Sequence, residues 1–340
     1  MWYTESMLEL IATCCPGLEG ILAGEIAETL AVPARTARGE ARFAASSTAA
    51  ALRLRCTDNL YALIGHAPAG PHRGDLAALG RALAALPVRA VCAQAGLQLE
   101  GLRAHVSASR SGKHSYSRFE AAAAVLPALC AVLPMVPGVP EAHDVAFRLD
   151  IDGNLASFSV KLTDAAFRFR GLRQFSSAAI RPTIAAALIR LTKPQAGDVF
   201  LDPFCGSGTM LSERLSLPHA QVLGGDIDEA ALAVAAQNIA GRARLTRWNA
   251  LALPLDAGSV TAIATNPPWG NQIALEDSAA LYHGFLREAQ RVLSPGGRLV
   301  VLSDRADDMV SALAICGLPE PQPLVVSLHG TVCRVWSLQV

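Results

Sequence analysis

In the second half of the chain, apolar residues fall in short solid runs separated by glycine, proline and acidic residues. Residues 197–202 (GDVFLD), 221–226 (QVLGGD), 260–265 (VTAIAT) and 298–303 (RLVVLS) read as strands buried on both faces, with another short strand after Leu245. Helical spacing occupies 229–239 and 277–292, and a shorter helix passes through Leu211 and Leu215. A turn at 294–297 (SPGG) precedes the 298–303 strand, and 324–328 and 331–338, joined through His329-Gly330, read as an antiparallel hairpin. Strand and helix alternating in this way predict an α/β unit: a mostly parallel seven-stranded sheet with a reversed edge strand.

The first half lacks that rhythm. It offers a helix over 17–30, a mixed stretch to Gly70, an amphipathic helix over 75–86, and alternating strands such as 97–106 and 156–162. Helices and strands without glycine-rich βα turns predict a smaller α+β platform rather than a second cofactor domain. The expected division is an α+β segment over 1–50, a platform over 51–165, a basic linker over 166–180 and the α/β unit over 181–340.

Composition narrows the class. With 51% apolar and 17% charged residues in 340, the chain is globular rather than disordered, collagen-like or coiled-coil. Its 29 basic and 29 acidic residues cancel, so no global field draws it to nucleic acid or an anionic membrane. Basic charge is nevertheless concentrated locally. Residues 165–197 contain no acid but carry Arg168, Arg170, Arg173, Arg181, Arg190 and Lys193. Residues 101–119 are likewise acid-free around Arg103, Arg110, Lys113 and Arg118.

Eight cysteines without a CxxC or a zinc-like spacing indicate neither a metal site nor a disulfide framework and suit a reducing cytoplasm. The first residues lack the basic start and apolar core of an export signal. The charge-free stretch 121–140 is long enough to span a membrane, but its four prolines favour a buried helix ending in a proline-rich loop.

The chemistry is expected at the carboxyl ends of the strands. Asp202, Pro203, Phe204, Cys205, Gly206, Ser207, Gly208 and Thr209 form a strand-to-helix turn whose glycines admit a ligand to the backbone. The third glycine of a dinucleotide turn is missing, and Asp202 would repel a pyrophosphate but suits a cationic amine. Asp226, followed by Ile227, ends the second strand, where a carboxylate accepts both ribose hydroxyls. Together they specify an adenosine-bearing ligand without pyrophosphate, a description that S-adenosylmethionine fits. Asn249-Ala250 follows the third strand; Asn249 either faces the adenine edge or stabilises its own turn. Asn266, Pro267, Pro268, Trp269 and Gly270 follow the fourth strand. There the asparagine amide oxygen and a backbone carbonyl can accept two hydrogens from an exocyclic amine while Trp269 stacks on the base.

DPFCGSGT, GGDIDEAAL with AAQNIAG, and TNPPWG, in this order, resemble motif I, the acidic second-strand loop and motif IV of class I amino-methyltransferases. With ATCCPGLEGILAGEI near the start, and FRFRGLR and AAIRPTIAAALIRLT before motif I, the chain resembles the THUMP-domain RNA guanine-N2 methyltransferases over nearly its whole length. The resemblance implies a Rossmann-like methyltransferase behind a ferredoxin-like segment and a THUMP-like RNA-binding platform. It also implies that Asp202, Gly206 and Gly208 border the methionine part of the cofactor, Asp226 holds its ribose, Asn249 lies near its adenine, and 266–269 hold the target base. Trp269 stands where tyrosine or phenylalanine is commoner, and Asn249 where aspartate is.

Pyrimidine carbon methylation needs a cysteine nucleophile, and neither 266–270 nor 300–305 contains one. Cys205 is expected to be a small buried residue beside the cofactor. The same NPP motif serves adenine-N6 methylation of DNA and glutamine methylation of proteins, and a non-catalytic RNA-binding module is the alternative of a different class. The front half favours RNA, with Arg168, Arg170 and Arg173 as phosphate contacts or as a solvated surface strand. Beside Arg110, Lys113 and Arg118, Tyr116 and Phe119 either stack on unpaired bases or pack in the core. Transfer RNA is the first expected partner and ribosomal RNA the second, with a monomer acting without metal or membrane.

Overall fold

The computed structural model describes residues 7–170, 179–268, 278–328 and 330–340. The first half contributes β1 (Leu8–Thr13), α1 (Glu19–Leu30), β2 (Arg35–Ala37), β3 (Glu40–Ala45), the short α2 (Thr48–Ala51) and β4 (Asn59–Pro68). It continues with α3 (Leu76–Ala84), α4 (Val88–Gln94), β5 (Leu102–Ser111), α5 (Arg118–Val132), β6 (Met135–Pro137), β7 (Val145–Asp152) and β8 (Leu155–Lys161). Its strands form one eight-stranded sheet in the order β2-β3-β1-β4-β8-β7-β5-β6.

That sheet runs unbroken across residue 50, because β1 pairs with both β3 and β4. Alternation explains the core: Leu8, Leu10 and Ala12 of β1, Leu60 and Ala62 of β4, and Phe158 and Val160 of β8 are buried together beneath the helices. Helices α3 and α5 approach closely at Gly80, where a Cβ would lie 3.0 Å from the Ala124 carbonyl oxygen. The charge-free stretch 121–140 supplies most of α5, whose Ala121, Val125 and Leu129 are buried. Among the described residues no single helix is long and apolar enough to cross a membrane.

The second half contributes α6 (Pro182–Leu191), β9 (Val199–Asp202), α7 (Thr209–Arg214), β10 (Gln221–Asp226), α8 (Glu229–Ile239), β11 (Arg244–Arg247) and β12 (Val260–Thr265). Then follow α9 (Ser278–Val292), β13 (Leu293–Ser303), α10 (Ala306–Ile315), β14 (Leu324–Leu328) and β15 (Thr331–Gln339). The sheet order is β11-β10-β9-β12-β13-β15-β14, parallel from β11 to β13. One correction concerns the reversed strand. It is β15, which inserts antiparallel between β13 and β14, one place in from the edge. Its Cys333, Val335 and Trp336 are fully buried, whereas β14 exposes Leu324 and Val325.

Strands β9, β12 and β13 alternate their side chains between two apolar layers. Leu201, Ile263, Leu299 and Val301 face α9 and α10 with Tyr282, Phe285 and Met309. Phe200, Ala262, Val300 and Leu302 face the opposite side, in a core continuous with that of the first half. Helix α6 joins the two halves: every residue from 182 to 189 is buried. Across the same junction Arg181 and Thr183 donate to Asp58 at 2.7 and 2.5 Å, and Arg55 holds buried Glu213 through two bonds of 2.7 and 3.0 Å. The PGLE glycine, Gly17, meets β14 so closely that a Cβ would lie 2.0 Å from the Val325 oxygen.

Candidate active site at the carboxyl edge of the parallel sheet

Asp202 ends β9 and is buried, and its Oδ1 accepts from Thr265 Oγ1 at 2.6 Å and from the Phe204 amide at 3.2 Å. Burial pushes its carboxyl up to about 7, against the two hydrogen bonds that favour the anion. A cation placed beside it would relieve that penalty. Pro203 is buried, and the turn beyond it is left-handed at Gly206 (φ 50°) and Gly208 (φ 81°). A Cβ at Gly206 would meet nothing within 4 Å, whereas one at Gly208 would lie 3.2 Å from Ala235 Cβ. Gly206 therefore fronts open space, and Gly208 lets α7 start close against α8.

Asp226 ends β10 next to this turn. It accepts the Gly206 amide at 2.9 Å on Oδ2 and the Asp228 amide at 3.0 Å on Oδ1, which fixes the carboxylate while leaving lone pairs on both oxygens. Cys205 is tied to β10 through its amide to the Gly225 oxygen at 2.9 Å. Burial, reinforced by the negative charges of Asp202 and Asp226, pushes its thiol well up, so it carries no thiolate character. The hydroxyls of Ser207 and Thr209 are buried and have no partner among the described residues. Ile227 is 65% exposed beside Asp226, an apolar side chain presented to whatever lies against that edge.

A residue the sequence does not single out builds the floor of this edge. Trp248 lies over Gly225, where a Cβ would sit 1.8 Å from its indole ring. Gly225→Ala is therefore expected to destabilise the protein by about 1–3 kcal/mol and to weaken cofactor binding, seen as a lowered Tm and a raised Kd. The only sequence signal was the paired glycine before Asp226. Asn249 is exposed and its Oδ1 accepts the Leu251 amide at 3.0 Å, so of its two expected roles the loop-stabilising one is visible. Its neighbour Ala250 is buried. Asn238, in the AAQNIAG stretch, donates to the Ser207 carbonyl at 2.8 Å and holds the turn from behind.

The fourth strand end lies beside the first. Strands β12 and β9 pair in parallel, and the bond between Thr265 and Asp202 joins their last residues. Asn266 is half-buried, and its Oδ1 has no hydrogen-bond partner among the described residues. Pro267 is buried and Pro268 half-buried. The expected base-stacking Trp269 lies outside the described residues, as does Gly270. An acceptor left open at the strand end next to that of Asp202 is what an amine-methylating site requires, because such a site must hold the hydrogens of an amine next to the methyl donor.

The basic residues divide. Arg110, Lys113 and Arg118 are exposed, and the Arg118 guanidinium lies 4.8 Å over the ring of Phe119, itself 71% exposed. Tyr116, by contrast, is buried and donates to the Gly70 carbonyl at 3.0 Å. Arg168 is half-buried over the Phe169 ring at 5.0 Å. The expectation that Arg170 contacts phosphate is corrected: its guanidinium donates to the carbonyls of Leu54 and Arg55 at 2.8 and 2.9 Å, and burial pulls its pKa down. It braces the junction between the halves instead. Arg173 lies outside the described residues.

Comparison with known proteins agrees with this geometry. The family described as UPF0020, RMKL-like, methyltransferase domain, matches residues 170–318. A tRNA (guanine(6)-N2)-methyltransferase of Thermus thermophilus is 33% identical over 352 residues, covering 97% of this chain and 99% of that one. The chain belongs to the THUMP-domain RNA guanine-N2 methyltransferase family. The crystal structure of TrmN from Thermus thermophilus matches with a TM-score of 0.80 at 31% identity, covering 98% of this chain and 99% of that one. The bovine tRNA (guanine(6)-N(2))-methyltransferase THUMP3 is 30% identical over 239 residues, 64% of this chain and 47% of that one. The family uses S-adenosylmethionine, and the residues present fit it: a buried carboxylate seeking a cation, a fixed carboxylate with free lone pairs, open space at Gly206 and unpartnered hydroxyls at Ser207 and Thr209.

Proposed function

We propose that the protein transfers the methyl group of S-adenosylmethionine to the exocyclic 2-amino group of a guanosine in tRNA, with position 6 as its first target. The observation that carries this is the unpartnered Oδ1 of Asn266, which directly follows Thr265, the residue bonded to the Asp202 carboxylate. The position rests on the Thermus relative, which matches over the full length. The eight free thiols support a reducing cytoplasm as its place of action.

The cofactor supplies an electrophilic methyl on a good leaving group, so the protein's task is positioning. Asp202 would hold the cationic amine and Asp226 the ribose hydroxyls, with Ile227 offering an apolar side chain to the adenine. Asn266 Oδ1 accepts one hydrogen of the guanine 2-amino group, turning its lone pair out of the ring plane and toward the methyl. Methyl transfer would exchange the cofactor's S–CH3 bond for the new N–C bond, and the methylated amine would lose one proton to water. Pro267 and Pro268, lacking N–H groups, hold that segment extended without competing for the amine's acceptors.

Nucleoside mass spectrometry on tRNA from a strain lacking the gene tests the reading. N2-methylguanosine is expected to fall and to return with the wild-type gene but not with Asn266→Ala. An unchanged tRNA profile would reject it.

The exposed Arg110, Lys113, Arg118 and Phe119 supply the platform's expected RNA contacts, with the half-buried Arg168 beside the junction. Arg118→Ala combined with Phe119→Ala is expected to weaken tRNA binding about 10–100-fold, read by filter binding, with Tm unchanged because both side chains are exposed.

A further inference from the structure

Motif IV alone does not distinguish a guanine 2-amino group from an adenine 6-amino group, since both present an exocyclic NH2. What differs is the neighbouring ring nitrogen: guanine N1 carries a hydrogen, whereas adenine N1 carries a lone pair. A guanine-specific site therefore needs a second acceptor beside the one that holds the amine.

We infer that Asp304 is that acceptor, receiving the N1–H of the target guanine while Asn266 holds its 2-amino group. This rests on the guanosine reading above. Strands β12 and β13 are parallel neighbours, with Thr265 paired to Val301, so Asn266 and Asp304 each follow directly on the end of one of two adjacent strands. Asp304 lines a cleft with Arg305, Ala306, Asp307 and Asp308 at that edge. Its Oδ1 is buried and, like Asn266 Oδ1, has no partner among the described residues. Two unpartnered acceptors thus stand at neighbouring strand ends, Asp304 two residues further along than the position level with Asn266, as two separate donors of one base edge would need.

The surroundings hold Asp304 in place without satisfying it. Ser303 Oγ bonds Tyr282 Oη at 2.5 Å and accepts the Arg305 amide at 2.9 Å, which pins the backbone on either side. Arg305, the nearest cation in sequence, is committed elsewhere: its Nε donates to Asp308 at 2.8 Å and its Nη2 to Ser278 Oγ at 2.7 Å. A carboxylate in this setting gains a charge-assisted bond from N1–H of guanine and opposes the N1 lone pair of adenine.

The test compares tRNA carrying guanosine with tRNA carrying 2-aminopurine at the mapped methylation site, using the full-length enzyme. 2-Aminopurine keeps the 2-amino group but has an N1 acceptor. Wild type is expected to prefer guanosine by about 10–100-fold in kcat/KM. Asp304→Asn, whose amide can present its oxygen to N1–H or its NH2 to an N1 lone pair, is expected to lower guanosine activity through loss of the charge-assisted bond and to narrow that preference, with the Kd for S-adenosylmethionine unchanged. Asp307→Asn, on the same cleft but without an unpartnered buried oxygen, should leave the ratio as in wild type. A wild type active on guanosine whose preference survives in Asp304→Asn would overturn this inference alone. A wild type that methylates no tRNA guanosine would overturn the functional reading, and this inference with it.

Discussion

Asn266→Ala is expected to lower methyl transfer about 100–1,000-fold, the cost of removing one aligned hydrogen-bond partner from a reacting group. Single-turnover rates on tRNA read this directly. The cofactor's Kd should change little, since Asp202 and Asp226, proposed above to hold its amine and ribose, lie on β9 and β10 rather than next to Asn266 in the chain. The unpartnered Oδ1 gives the reason: nothing among the described residues uses that oxygen, so its removal takes no internal bond from the fold. A drop in Tm comparable to that of a core deletion would show instead that Asn266 is structural. Asn266→Asp keeps an acceptor and should retain more activity than the alanine variant.

The second large effect is a pH dependence set by Asp202, whose carboxyl is pushed up to about 7 by burial. The unfolded chain releases this proton near the ordinary aspartate value, so between about pH 4 and 7 the folded, cofactor-free protein holds more protons than the unfolded one. Stability from this group therefore falls as pH rises through that window, and the penalty is complete above about 7. A cationic amine beside the carboxylate favours its ionised form, so cofactor affinity should rise as pH climbs to about 7 and then level off. Asp202→Asn removes both effects: the cofactor-free protein should melt higher at about pH 8, while cofactor binding weakens about 100-fold and loses its slope. Calorimetric titration at several pH values checks this. A wild-type affinity flat across about pH 5.5–7.5 would refute the assignment of the slope to Asp202.

Much of the methyltransferase half was legible because its signals are local. Strands buried on both faces must be solid apolar runs, and β10, α8 and β12 lie where the runs and the helical spacing put them. The carboxylates and Asn266 stand at strand ends because ligands of parallel sheets bind there. Less was legible where one segment serves two surfaces. No element is read from the sequence over helix α10, whose Met309, Ala312 and Leu313 cover the sheet. The front sheet was harder still. Its strand order joins segments far apart in sequence, and local alternation does not specify which strand lies beside which.

Arg170 and Arg110 show the limit most plainly: both are cations in an acid-free run, and only the fold turns one onto the Leu54 and Arg55 carbonyls and leaves the other exposed. Likewise, nothing local in the sequence separates buried Tyr116 from exposed Phe119, three residues apart. The element types and the residue types at the strand ends follow from the sequence alone, since they depend on backbone period and turn chemistry over a few residues. The folded chain alone decides which polar atoms find partners. Those partners come from distant segments, such as Arg55 for Glu213, and the side-chain oxygens of Asn266 and Asp304 are among the atoms the fold leaves without one.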